Sequence, residues 1–80
     1  MPKLKRLSQK DVISILLTQG FELSGQTGSH IKLKRFSAYG TEVLIVPNHK
    51  EIKLGTLKKI FNQASRYIPQ DILRKEFYSE

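Results

Sequence analysis

The chain has 80 residues, and its 14 Lys and Arg against 7 Asp and Glu give a formal net charge of +7. A chain of this length supports one small domain, which excludes large multi-lobed enzymes and dinucleotide-binding folds. With 39% hydrophobic residues and no cysteine, the composition predicts a folded domain without disulfides, thiol nucleophiles or cysteine-bound zinc.

The first predicted element is a helix over residues 9–19. Ser8 and Asp11 have the spacing of a capping box, in which each side chain accepts a hydrogen bond from the other residue's backbone. Apolar side chains then follow at helical spacing, and Gly20 stands where a left-handed residue commonly ends a helix.

Three antiparallel strands are predicted next, because the apolar period changes from helical to alternating. The alternation begins at Phe21, is interrupted by turn residues 26–29, and resumes over residues 30–34. A second turn over residues 37–40 leads to a β-branched strand over residues 41–46, which Pro47 ends. The three strands are expected to form a meander.

Two helices are predicted after the strands. An apolar stripe at helical spacing predicts a helix over residues 53–65; its members are Leu54, Leu57, Ile60, Phe61 and Ala64. Pro69 has a position typical of a first helical residue, which predicts a short third helix near residues 69–77. The order α-β-β-β-α with this appendix predicts an α+β fold whose helices cover one face of a three-stranded antiparallel sheet.

Strand alternation groups His30 with two lysines. If Ile31 and Leu33 point into the core, then His30, Lys32 and Lys34 share the opposite face. An imidazole exchanges a proton near neutral pH, and lysines beside it attract a phosphate. These groups suit metal-free phosphodiester chemistry, and in RNA the 2′-hydroxyl can be the nucleophile. Taken alone, they also fit an ordinary exposed histidine on a basic domain that only binds nucleic acid.

Several segments, in this order, resemble the HicA family of toxin–antitoxin ribonucleases: Gly20-Phe21, Gly28-Ser29-His30, Val46-Pro47-Asn48-His49 and Leu54-Gly55-Thr56-Leu57-Lys58-Lys59-Ile60. The resemblance covers residues 7–65 of a single domain spanning residues 1–80, with residues 66–80 as a C-terminal appendix. It implies a double-stranded-RNA-binding-domain-like fold, translation-independent cleavage of mRNA and a neutralising HicB-type antitoxin. It also implies that His30 is the catalytic residue.

Further residues are candidates for the site. A second proton-transfer group would help the 5′-oxygen leave, and His49 is a candidate beside Lys32, Lys34 and water, whereas a structural role in its loop is the alternative. Gly28 and Ser29 are candidate contributors to catalysis, although turn chemistry alone accounts for them. The predicted RNA-binding residues are Lys32, Lys34, Lys53, Lys58 and Lys59.

Other residues have two interpretations. Phe36, Tyr39 and Tyr67 either stack on bases or anchor the core and loops, and anchoring is the more common role. At the start of the second helix, Gly55 and Thr56 either offer backbone amides to a phosphate or allow Gly55 to pack closely against the sheet.

The charge distribution and residue inventory limit the partners. Residues 1–36 hold seven basic residues against two acidic ones, so we expect an anionic partner to bind that half. Two histidines without a close carboxylate cluster provide too few ligands for a zinc or two-metal nuclease site, so no metal or other cofactor is expected. The expected protein is a cytoplasmic monomer that does not enter a membrane and forms a hetero-oligomer with its antitoxin. The alternatives are a non-catalytic RNA-binding module and a domain that docks an acidic protein.

Overall fold

The predicted α-β-β-β-α order is confirmed in the computed structural model, which describes residues 3–79 and leaves Met1, Pro2 and Glu80 outside the description. A short strand precedes this order, and a helix and a short strand follow it. The elements are β1 (Lys3–Leu4), α1 (Gln9–Thr18), β2 (Glu22–Thr27), β3 (His30–Ser37), β4 (Gly40–Pro47), α2 (Leu54–Ala64), α3 (Gln70–Phe77) and β5 (Tyr78–Ser79).

The capping box predicted for α1 is present. The Ser8 backbone N–H donates to Asp11 Oδ2 at 2.9 Å, and the Asp11 N–H donates to Ser8 Oγ at 3.2 Å. Hydrogen bonding to Ser8 lowers the pKa of Asp11, and the backbone of Ser8 contributes more than its side chain. At the other end of the helix, Gly20 has a φ of +91°, which a residue with a Cβ adopts at a cost.

The antiparallel sheet has the strand order β2-β3-β4. β3 pairs with β4 from His30 opposite Pro47 to Ser37 opposite Gly40. Because this pairing continues up to the hairpin turn, β3 extends three residues beyond the predicted alternation over residues 30–34. The turn between β2 and β3 has Gly28 at a φ of +58°, as the first position of a type II′ hairpin turn requires.

One face of the sheet carries the core. Ile31 and Leu33 are buried on β3, so the predicted inward and outward sets of this strand are confirmed. Their partners in the core come from β4 and from all three helices: Val12, Leu16, Leu44, Val46, Leu57, Ile60, Phe61, Leu73 and Phe77. Leu54 was expected on the apolar stripe of α2, but it is 47% exposed because it is the first residue of the helix and lies at the margin of the core.

The C-terminal segment, residues 66–79, packs on the rest of the domain. It contains α3, which confirms the predicted third helix. Leu73 and Phe77 are fully buried, and the Phe77 ring meets the Phe61 ring edge-on with centroids 5.6 Å apart. β5 then pairs antiparallel with β1, and the Lys5 N–H donates to the Phe77 carbonyl at 2.7 Å. This second, two-stranded sheet has no counterpart in the sequence-based prediction.

Arg35 connects β3 to three other parts of the fold. Its Nε lies 2.6 Å from Glu42 Oε1 on β4, and its two terminal nitrogens donate at 2.8 Å to the carbonyls of Gln19 and Tyr67. The guanidinium also lies 4.8 Å from the centroid of the Phe21 ring. The Arg35 guanidinium therefore stabilises the fold through contacts within the protein. No helix within residues 3–79 is long and apolar enough to span a membrane.

Candidate functional site

Both histidines of the chain line one open depression of about 310 Å³. It lies between the end of β4 and α2, along the helix from Thr56 to Gln63, and both histidines are exposed. The depression is lined by His30, Ile45, Pro47, His49, Thr56, Lys59, Ile60 and Gln63.

The β2–β3 turn and the strand register position His30. It is the first residue of β3 and lies opposite Pro47 of β4. Because the next pair in the register, Ile31 and Val46, is buried in the core, His30 and Pro47 point to the outer face of the sheet. Gly28 shapes the turn through its positive φ, and an added Cβ there would meet no atom within 4 Å. Gly28 thus serves backbone conformation rather than a close approach.

The loop after β4 holds His49 next to this turn. The Asn48 N–H donates to the Ser29 carbonyl at 2.6 Å, so the β4–α2 loop is tied to the residue that precedes His30. Asn48 Oδ1 also accepts a hydrogen bond from Gln9 Nε2 at 2.8 Å, which ties the loop to the start of α1. Ser29 therefore contributes a carbonyl that joins the two histidine-bearing segments.

The predicted RNA-binding lysines lie in different places. Lys59 of α2 lines the depression with His30 and His49. Lys32 is exposed and Lys34 half-buried on the same outer face of β3 as His30. Lys53 lines a separate depression of about 580 Å³ near the start of α1. Lys58 is exposed on α2 and lines neither depression.

Thr56 and Gln63 also line the depression, and the sequence-based prediction assigned neither side chain to the site. With Lys59 they follow helical spacing and form a polar stripe beside Ile60, and this spacing is the signal in the sequence that they share one face of α2. Close packing of Gly55 against the sheet is wrong, because no atom lies within 4 Å of an added Cβ.

Phe36, Tyr39 and Tyr67 differ in burial, which decides whether each one anchors the fold. Tyr67 is an anchor: it is half-buried, its ring centroid lies 6.4 Å from that of Phe21, and its carbonyl accepts from Arg35. Phe36 is 81% exposed and Tyr39 fully exposed, so the anchoring role is wrong for both.

Comparisons with known proteins place the chain in a family. A family model described as HicA toxin of bacterial toxin-antitoxin matches residues 10–65, which is more than half of the chain. No curated protein and no solved structure matched. Within residues 3–79, no group of three or more His, Cys, Asp and Glu side chains is arranged to hold a metal ion. The motifs around His30 and His49 fall inside the matched range, and the chain belongs to the HicA family of toxins from bacterial toxin–antitoxin systems.

Proposed function

We propose that this toxin is a metal-independent endoribonuclease that cleaves mRNA, with His30 as a general acid or base. The observation that supports the proposal is the placement of both imidazoles and the Lys59 ammonium around one open depression. These are the groups that phosphodiester cleavage by an internal nucleophile needs: two proton-transfer groups and a cation for the phosphate.

The reaction follows from the chemistry of RNA. The 2′-hydroxyl attacks the adjacent phosphorus and loses its proton to a base, the P–O5′ bond breaks, and the 5′-oxygen receives a proton from an acid. The products are a 2′,3′-cyclic phosphate and a 5′-hydroxyl. His30 performs one of these proton transfers, and His49 lines the same depression as a candidate for the other. Lys59 stabilises the charge that develops on the non-bridging oxygens.

The lysines on this side of the protein carry charges that the described part of the chain does not neutralise. Among residues 3–79 the ion pair found is Arg35 with Glu42, so Lys32, Lys34 and Lys59 are paired with no carboxylate in that range. Free ammonium groups beside an imidazole favour a polyanionic substrate, whose phosphates release bound counterions when the lysines contact them. An mRNA substrate also implies that the protein acts in the cytoplasm.

The antitoxin partner follows from membership of a toxin–antitoxin family. We propose a HicB-type protein that covers His30 and the adjacent lysines, so that the toxin is a monomer alone and part of a hetero-oligomer when neutralised. Charge complementarity predicts that the covering surface of this partner is acidic.

Replacement of His30 tests the proposed reaction. Because His30 is exposed, the His30→Ala variant should fold normally and lose roughly 10²- to 10⁴-fold in the rate of RNA cleavage, the usual worth of a positioned acid–base group. The assay uses single-stranded RNA in the presence of a chelator, and Lys75→Ala on the exposed side of α3 is the control that should retain full activity.

Three outcomes would contradict the proposal. Undiminished cleavage by folded His30→Ala would remove His30 from the mechanism. Cleavage of a substrate with a 2′-deoxynucleotide at the scissile position would exclude the internal nucleophile. Retained RNA binding without cleavage by the wild-type protein would indicate a non-catalytic RNA-binding module. In cells, growth arrest after induction of the wild-type chain but not of His30→Ala gives an independent readout of the same assignment.

A further inference from the structure

We propose that single-stranded RNA lies along the open face of the sheet, with its phosphates on Lys32 and Lys34 and an unpaired base stacked on Phe36. This inference rests on the proposed function, because it describes how the substrate reaches His30. We call this row of four outward residues of β3, from His30 to Phe36, the β3 track.

The β3 track follows from the alternation of one strand. Ile31 and Leu33 are buried, and the Arg35 guanidinium bonds to Gln19 and Tyr67 on the inner side. The residues that alternate with these three therefore point outward, in the order His30, Lys32, Lys34 and Phe36. Successive outward positions are ~6.7 Å apart, so the track is ~20 Å long. This length accommodates several nucleotides of an extended strand.

The aromatic end of the track is open to solvent. The Phe36 side chain is 81% exposed, and its cross-strand neighbour on β4 is Thr41, which is too small to cover it. The aromatic pairs found within residues 3–79 involve Phe21, Phe61, Phe77 and tyrosines of the C-terminal segment, and Phe36 belongs to none of them. Fully exposed Tyr39 lies in the turn directly beyond. An aromatic ring left this accessible offers a stacking surface to a base.

The charges on the track favour nucleic acid over a protein segment. Lys32 and Lys34 have no ion-pair partner among residues 3–79, and Glu22, opposite Lys34 on β2, is the acidic residue that the register brings next to them. Cations interleaved with an aromatic ring match a strand in which phosphates alternate with bases. Stacking on Phe36 also requires an unpaired base, since a duplex hides its base faces, and the inferred ligand is therefore single-stranded.

The Phe36→Trp variant reports directly on stacking, because the chain has no other tryptophan. The probe is a short single-stranded 2′-O-methyl oligonucleotide, which lacks the free hydroxyl that cleavage requires. The indole of Phe36→Trp should be quenched on binding, and the affinity should stay near that of the wild-type protein. Leu17→Trp, on the exposed side of α1, is the matched control and should show no quenching.

Two further variants measure the energetics of the track by fluorescence anisotropy with a labelled oligonucleotide. Phe36→Leu keeps an apolar side chain but removes the ring, and it should weaken binding roughly 5- to 150-fold, the usual worth of one stacked base. Lys32→Ala should weaken binding and make the slope of log affinity against log salt shallower by about 1. A duplex of the same sequence should bind with no dependence on Phe36.

The outcomes separate this inference from the proposed function. Absence of quenching in Phe36→Trp, or unchanged affinity of Phe36→Leu, would overturn the track even if cleavage still depended on His30. Loss of the antitoxin complex with unchanged oligonucleotide affinity in Phe36→Leu would overturn it in favour of a protein-binding surface. Quenching with no cleavage of RNA by the wild-type protein would support the track while refuting the ribonuclease.

Discussion

At the scale of single residues, neighbouring positions on β3 use positive charge in opposite ways. Arg35 points inward and has an acceptor for each of three nitrogens. Lys34 points outward, and no carboxylate within residues 3–79 pairs with it. The pair of Arg35 with Glu42 therefore contributes nothing to the net charge of +7, and the positive charge that a ligand meets on β3 comes from its outward lysines.

Loss of the Arg35 guanidinium should destabilise the protein strongly. Arg35→Met keeps much of the apolar stem but leaves the Glu42 carboxylate and the carbonyls of Gln19 and Tyr67 without their donors. We expect the free energy of unfolding in urea to fall by on the order of 3 kcal/mol. The same change at Lys34 is the control and should cost less than ~0.5 kcal/mol. Equal losses for the two variants would refute the structural role of Arg35.

At the scale of elements, the capping box makes the stability of α1 dependent on pH. Folding favours the ionised form of Asp11, because hydrogen bonds to Ser8 lower its pKa below the usual value of an aspartate. The stabilisation is therefore complete above the pKa of the unfolded chain and is lost as the pH falls through the lower pKa of the folded protein. Asp11→Asn should be less stable than the wild type near pH 7, and this difference should shrink in acid.

Urea titrations at several pH values between neutrality and acid check this dependence. Ser8→Ala, which removes the hydroxyl that caps the Asp11 N–H, should cost about 1 kcal/mol at neutral pH. A stability difference between Asp11→Asn and the wild type that stays constant down to low pH would contradict the assignment.

The elements that local signals specify were predicted well. The capping box and Gly20 fixed the ends of α1, and strand alternation correctly divided β3 into buried and outward residues. Pairing of β1 with β5 was missed, because each strand has two residues and their contact depends on how the C-terminal segment packs. A two-residue segment has no period that a sequence can display.

The sequence predicted the part of the candidate site that local patterns specify, but not the part that depends on contacts between distant segments. His30 follows from a turn and a strand, which are local features, whereas its proximity to His49 depends on the Asn48 to Ser29 hydrogen bond between two loops. Thr56 and Gln63 join the site because α2 lies against β4. Spacing along α2 shows that they share a stripe but not which strand that stripe meets.

At the scale of the whole molecule, the core extends beyond the range that the family model matches. The match ends at residue 65, but Ile68, Leu73 and Phe77 are buried in the same cluster as the residues under the sheet. A domain of this size has a total stability of only ~4–12 kcal/mol. The apolar contacts of the C-terminal segment are therefore a large fraction of what keeps the His30 depression assembled.

Truncation of one buried ring tests this dependence on the C-terminal segment. Phe77→Ala removes a fully buried side chain that packs edge-on against Phe61, and it should lower the free energy of unfolding by about 3–5 kcal/mol. Ile72→Ala is the control, because Ile72 lies on the same helix but is 36% exposed. It should lower the free energy of unfolding by less than about 1.5 kcal/mol. If the segment were only a docking surface for the antitoxin, Phe77→Ala would weaken the toxin–antitoxin complex and leave the urea midpoint unchanged. That result would show that the Phe77 ring does not stabilise the core.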